Sequence, residues 1–319
     1  MAELIVINSI ARVVGEAHLL QSVASVPKRI MSFLTSDGFQ SYSRSSNDIV
    51  EMAASAIAAS LQKSRLEPHD IDAVLLSTES WWDVEDQSAG LPKVPVNIRL
   101  REGFLHETCL TLGLSRATPY GNWLSGCANF TSTLALARGL VASGQHKNIM
   151  VVLSDRASPK ATRVTESGMT VFSDGAVAFI VQKGEIGFEV EDIVFHHDPA
   201  LLQVHNGKNT LLHGKAMQQA ANGLGAKLRA AGRAAHSHYK MLIADNMHAM
   251  SLSFVSSGLG ITRDRLETPL KPFGHFFSAD CLLGLLHFEE AAKLDRDDSI
   301  GLVNVGPAGV GLSSLRYLQ

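Results

Sequence analysis

The sequence predicts an α/β protein. Apolar runs of strand length alternate with longer stretches of helical periodicity, and both recur along the whole chain rather than in one part of it. Neither a low-complexity tract nor a repeat at the roughly 20 to 50 residues of solenoids and propellers is present. With 319 residues, 45% of them hydrophobic and 18% charged, the chain can bury one large core or two smaller ones.

In chain order, residues 48–62 (DIVEMAASAIAASLQ) set Ile49, Met52, Ala53, Ala56 and Ile57 on one helical face, with Asn47 or Asp48 as N-cap. Residues 71–80 (IDAVLLSTES) read as a buried strand. Residues 130–144 (FTSTLALARGLVASG) read as a helix with Gly139 and Gly144 suited to its end, followed by a strand over 148–155 (NIMVVLSD). The turn Ser173-Asp174-Gly175 leads into a strand over 176–183. Residues 184–240 are less periodic and richer in Gly, His, Gln and Lys, which puts a linker between two halves near 184–190. Beyond it come a strand over 241–244 (MLIA), a helix near 248–258, a helix from about 280 to 293, and two strand-like runs around the glycine turn of IGLVNVGPAGVGLSSLRYL. A loop-then-helix pattern begins both at Cys127 and near Asp245, which suggests a long-range repeat.

Charge and cysteine usage narrow the function. The 28 Lys and Arg against 31 Asp and Glu leave a net charge of −3, with no basic surplus for nucleic acid or an anionic membrane. The apolar start MAELIVINSIARVV lacks a basic region before it, and no apolar run approaches the ~18 residues of a membrane span, so a soluble, cytoplasmic protein is expected. Cys109, Cys127 and Cys281 are odd in number and lack C-x-x-C spacing, arguing against a disulfide framework and for a reducing compartment. His196-His197 and His236-Ser237-His238 have no Cys or carboxylate set at ligand spacing, so no metal is expected.

Cys127 is the candidate nucleophile. It lies in NWLSGCANF just ahead of a predicted helix, where unpaired N–H groups and the helix dipole favour a thiolate, and the small neighbours Ser125, Gly126 and Ala128 admit a thioester. Cys109 and Cys281 have no such setting and read as packing residues. A nucleophilic cysteine needs a base and an oxyanion hole. His248 follows the strand MLIA and opens a helix, near the carboxyl end of a strand where α/β sites gather. His275 lies in KPFGHFFSADCLLG, five residues before Asp280, and Asp280 is also placed as a first-turn acid of the next helix. Phe276 and Phe277 beside His275 are candidates for lining a substrate pocket. So is Trp81, in an acidic-aromatic loop with Trp82, Glu79, Asp83, Glu85 and Asp86.

Taken together, these motifs resemble the ketoacyl synthase III-like family of the thiolase fold. SGCANF sits where that family has its nucleophilic Cys, TVFSDGAVAFIV resembles its F-G-D-G-A turn, and VGPAGVGLSSLRY resembles its C-terminal glycine-rich strand pair. The resemblance implies two similar halves, residues 1–185 carrying the Cys and 186–319 carrying the His and Asp loops. Each is built on a five-stranded mixed sheet in an α/β/α/β/α layering, and a homodimer is implied. It makes Cys127 the acyl acceptor, with the Cys127 and Gly306 N–H groups as oxyanion hole. No bound cofactor is implied; a coenzyme A or phosphopantetheine thioester, presented as acyl-CoA or on an acyl carrier protein, is the donor substrate.

The sequence departs from the family pattern where the chemistry is decided. Counted without a gap, Asp245 replaces the first histidine of the family's H-Q-A-N motif; a gap of three would bring His248 there. GHFFSA puts His275 where the family has its Asn, and Asp280 follows. In the family's decarboxylating enzymes that His and Asn donate hydrogen bonds to the forming enolate. A Cys-His-Asp set instead resembles the branch that transfers acyl groups to a hydroxyl or amine in specialised metabolism, with Asp280 orienting His275 as general base and His248 in a lesser part. Decarboxylative carbon–carbon condensation and a non-catalytic, thiolase-fold partner subunit are the alternatives.

Overall fold

The computed structural model describes residues 3–24, 26–80, 103–158, 162–165, 167–205, 210–233 and 238–319. Twelve strands are present among them. Ten join in one mixed sheet in the order Leu266–Glu267 (β10), Met241–Ala244 (β9), Ser299–Gly306 (β11), Gly309–Tyr317 (β12), Phe188–His197 (β8), Ile5–Val14 (β1), Gly175–Lys183 (β7), Asn148–Asp155 (β6), Ala73–Ser77 (β4) and Thr118–Asn122 (β5). Glu16–Leu19 (β2) and Ser41–Arg44 (β3) form a separate antiparallel pair. The ten-stranded sheet is two sets of five meeting at a short seam, where Val6 and Ile7 of β1 pair with Glu189 and Phe188 of β8. In each set the two outermost strand contacts are parallel and the rest antiparallel.

The helices divide by which apolar surface they cover. Ile49–Lys63 (α2) lies on the outer face of the first set, with Met52, Ala53, Ala56 and Ile57 against Val74, Leu76, Met150 and Ala178. Its N-terminus is closed by a capping box, Asp48 accepting from the Glu51 N–H and Glu51 from the Asp48 N–H. Asn129–Ala142 (α3) and Asp280–Glu290 (α7) form the middle layer. Phe130 and Leu134 of the one and Leu282 and Leu286 of the other share a core with the inner faces of both sets. Thr210–Ala230 (α5) and Ala249–Leu259 (α6) cover the outer face of the second set. Lys28–Ser36 (α1) and Pro199–His205 (α4) complete the helices. The result is the expected α/β/α/β/α layering, and no helix among the described residues is long and apolar enough to cross a membrane.

Two expectations change. Residues 184–240, read as irregular, carry the ten-residue β8 and the 21-residue α5. Gly214, Gly223 and Gly225 lower the helix propensity of α5, and tertiary packing overrides that cost. The same packing demands a glycine on the facing helix: a Cβ at Gly258 of α6 would lie 2.5 Å from the Gln218 carbonyl oxygen and 2.6 Å from the Ala221 Cβ. Gly258→Ala is therefore expected to destabilise the fold by ~1–3 kcal/mol, read as a lower denaturation midpoint at unchanged slope. The internal repeat is also differently placed. By sheet position the counterpart of α3 is α7, which opens at Asp280, rather than the helix that follows Asp245.

Candidate active site

Cys127 sits in a single tight turn, Gly126–Ala128, that runs directly into α3. Gly126 has φ +60, which side chains rarely adopt, and a Cβ there would strike the Pro307 ring and lie 3.0 Å from Glu79 Oε1. Gly306, at the end of β11, approaches from the other half of the molecule. Any Cβ on it would overlap the Ser125 carbonyl oxygen and come within 3.0 Å of the Ala128 nitrogen. The structure thus brings the two expected oxyanion-hole residues, Cys127 and Gly306, to adjoining backbone.

His275 is held by its backbone before its ring is considered. Its N–H donates to the Val171 carbonyl (2.7 Å), and the Ser173 N–H donates to its carbonyl (2.8 Å), fastening the loop before α7 to the loop before β7. On the ring, Nδ1 is hydrogen-bonded to Asp280 Oδ2, and Nε2 faces Cys127 Sγ at 3.1 Å. Asp280 is the first residue of α7 and also accepts the N–H groups of Asn246 and Phe276, each at 2.6 Å. Both its helix-start role and its histidine contact are therefore present. His275 and Asp280 are 3% and 2% exposed, whereas Cys127 is partly open.

Electrostatics revise the expectation of a resting thiolate. A helix terminus contributes ~0.3–1 kcal/mol, less than one pH unit. Against it stand burial of the Cys127 thiol and the nearby Glu79, Asp245 and Asp155 carboxylates, which together push the thiol well above its ordinary value of 9.0. The imidazole moves the other way in effect: burial opposes its charge, but Asp280 in contact, with Asp245 and Glu79 nearby, raises His275 to about 9. At neutral pH the pair rests as imidazolium beside thiol.

Other predicted residues separate. His248 caps the N-terminus of α6, its Nδ1 accepting the Met250 N–H at 3.1 Å, and its ring stacks on Phe33 with centroids 3.6 Å apart. Its Nε2 lies 3.9 Å from Asp37. The structure does not bring His248 to Cys127. Phe276 packs in the middle-layer core, where a Cβ on Gly175 would meet its ring at 2.9 Å. Phe277, at φ +53, stacks on Phe172 at 4.8 Å and lies 5.8 Å from the His275 ring. Trp81 falls outside the described residues. Asp245 is fully buried and directed at β11, accepting Asn304 Nδ2 (2.8 Å) and the Val305 N–H (2.6 Å). Burial, and then Asp280, raise it to about 8.

Two carboxylates escaped the sequence reading as site groups. Glu79, just past β4, brings its Oε1 beside Gly126, next to Cys127, and its charge raises the thiol; burial and Asp155 raise Glu79 itself to about 7. Asp155, the last residue of β6, accepts the Glu79 N–H at 2.6 Å, the Thr78 and Ser80 hydroxyls at 3.1 Å each, and the Ser278 hydroxyl at 3.2 Å. It ties the end of β4 to the turn that follows His275. The available signal was position: both residues stand at the carboxyl ends of adjacent parallel strands.

Comparison with known proteins adds an independent line. The family model of 3-oxoacyl-[acyl-carrier-protein] synthase III matches residues 123–199, which include Cys127. A beta-ketoacyl-[acyl-carrier-protein] synthase III of Staphylococcus haemolyticus is 23% identical over 303 residues, covering 92% of this chain and 91% of the relative. The crystal structure of 3-oxoacyl-(acyl carrier protein) synthase III from Pseudomonas aeruginosa PAO1 aligns with a TM-score of 0.74 at 18% identity over 99% of each chain. ChlB3, described as an acyltransferase, aligns with a TM-score of 0.78 at 17% identity over 99% of this chain and 98% of its own.

Proposed function

We propose that this chain, ketoacyl synthase III-like and of the thiolase fold, is an acyltransferase that carries an acyl group on Cys127 from a coenzyme A or acyl-carrier-protein thioester to a hydroxyl or amine. The observation that carries this reading is the chain of contacts from Cys127 Sγ through the His275 ring to Asp280. In the first half-reaction the imidazolium donates toward the sulfur as negative charge develops there, and the Cys127 and Gly306 N–H groups receive the thioester oxygen. In the second, His275 in its neutral form takes the proton of the acceptor as it attacks the acyl-cysteine, then returns it to the departing cysteine sulfur.

Transfer is favoured over decarboxylation by the site's donors. Stabilising an enolate calls for two hydrogen-bond donors at the thioester oxygen, and Asp245, which occupies one of those sequence positions, spends its oxygens on β11. A second copy is the expected partner, since the edge strand β5 is followed by the exposed Trp123 and Leu124.

The test is to incubate the protein with acyl-CoA donors, malonyl-CoA and carrier-bound acyl groups among them, with hydroxyl and amine acceptors. The expected result is an acyl-enzyme by intact mass and an ester or amide product, with no carbon dioxide released from malonyl donors. Carbon dioxide with a new carbon–carbon bond replaces the reading by condensation. No adduct from any donor replaces it by a non-catalytic subunit.

A further inference from the structure

The two half-reactions require more proton movement than His275 supplies. At neutral pH its Nε2 already carries a proton toward Cys127 Sγ, and its Nδ1 is committed to Asp280. It can donate to the sulfur in the acylation step but has no vacant site on which to accept the thiol proton. The carrier thiolate expelled in that step also needs a proton, and the thiol itself is held well above neutrality.

Glu79 is a further titratable group beside the same cysteine. Its carboxylate raises the thiol, and Oε1, 3.0 Å from where a Cβ on the adjoining Gly126 would stand, is buried without a hydrogen-bond partner among the described residues. An unpaired buried carboxyl oxygen costs ~1–3 kcal/mol or more and calls for a specific explanation. The main chain of Glu79 is fixed by Asp155, so the side chain is presented from a rigid strand end. The titratable groups facing it are Asp155 from β6, Cys127 from the turn before α3 and His275 from the loop before α7. Burial and Asp155 bring its carboxyl to about 7, where gain and loss of a proton are both cheap.

We propose that Glu79 is a second acid–base group of this site, taking the Cys127 thiol proton as the sulfur attacks the donor thioester and handing it to the departing carrier thiolate. This rests on the acyl-transfer reading above. The bond from Cys127 Sγ to the acyl carbon forms, the bond from that carbon to the carrier sulfur breaks, and one proton passes from Cys127 through Glu79 to the carrier. No oxidation state changes. Glu79 ends the step as it began, ionised and ready for the next turnover.

The test compares the wild type with Glu79→Gln, which keeps size and polarity but cannot shuttle a proton. Acylation is followed in single turnover by intact mass, with the acyl-CoA that loads Cys127 and with the S-phenyl thioester of the same acyl group, whose thiolate leaves without protonation. Alkylation of Cys127 by iodoacetamide is measured at about pH 8, above the Glu79 carboxyl. The variant is expected to lose ~100-fold or more of its acylation rate with the CoA ester, and ~10-fold or less with the phenyl ester. Its alkylation is expected to be faster than wild type, because a carboxylate that raises the thiol has been removed. Equal losses with both esters, or alkylation falling in parallel, would mark a structural role and overturn the proposal. A variant acylated at the wild-type rate also overturns it. No adduct on wild type with any ester removes the acyl-transfer reading, and the Glu79 role with it.

Discussion

Cys127→Ala is expected to abolish the acyl-enzyme: the adduct seen by intact mass on wild type disappears, and turnover falls by ~10³–10⁶-fold to what binding and the oxyanion hole alone sustain. The sulfur is the only group facing His275 Nε2 at hydrogen-bond distance among the described residues, so no neighbour can replace it. Cys109 and Cys281 are buried with raised thiols, Cys281 against Asp245, and neither is placed to be loaded. An adduct that persists in the variant would move the acylation site elsewhere and dismantle the mechanism. The fold should be unaffected, because alanine at 127 leaves the Gly126 turn and the Gly306 contact intact.

Asp280→Asn is expected to lower the transfer rate by ~10²–10⁴-fold and to displace its pH profile. Burial lowers the His275 pKa, and the Asp280 carboxylate, with Asp245 and Glu79 nearby, offsets this to hold it at about 9. In wild type the base form therefore grows in as pH rises through about 9. Without that carboxylate, burial is opposed only by Asp245 and Glu79, and the imidazole pKa falls toward the ordinary 6.5. The rising limb of the profile should move to lower pH by two units or more, ending on a lower plateau, since asparagine also permits the wrong tautomer. Rates of acyl transfer from about pH 6 to about pH 10 read this directly. A limb that stays near 9 would show that Asp280 does not set the histidine's charge. Asparagine also loses one acceptor for the Asn246 and Phe276 N–H groups, so a denaturation midpoint measured alongside separates lost stability from lost chemistry.

Much of the fold was legible because its elements are written locally. The strand over 148–155 and the strand MLIA were readable as continuous apolar runs, and the helix after Asp48 as a capped amphipathic face. The exceptions were β8 and α5, and in α5 three glycines mask a helix that long-range packing makes favourable. The site was legible where its residues share a short motif. Cys127 stands among small residues ahead of a helix, and His275 and Asp280 stand five apart on one loop.

What the sequence by itself determined is the alternation of elements, the place of Cys127 ahead of a helix and the spacing of His275 and Asp280, all set by contacts within a few residues. What only the tertiary structure decided is which groups share the sulfur. The parallel pairing of β4 with β6 and the stacking of α3 on α7 bring Glu79, Asp155, Cys127 and His275 together from segments far apart in the chain. The same packing carries His248 away to a helix cap against Phe33, and turns Asp245 toward β11. Burial then reverses the charge state that local sequence suggested, because removing a thiol from water beside carboxylates outweighs a helix dipole. Desolvation depends on every layer around a group, and no stretch of sequence contains it.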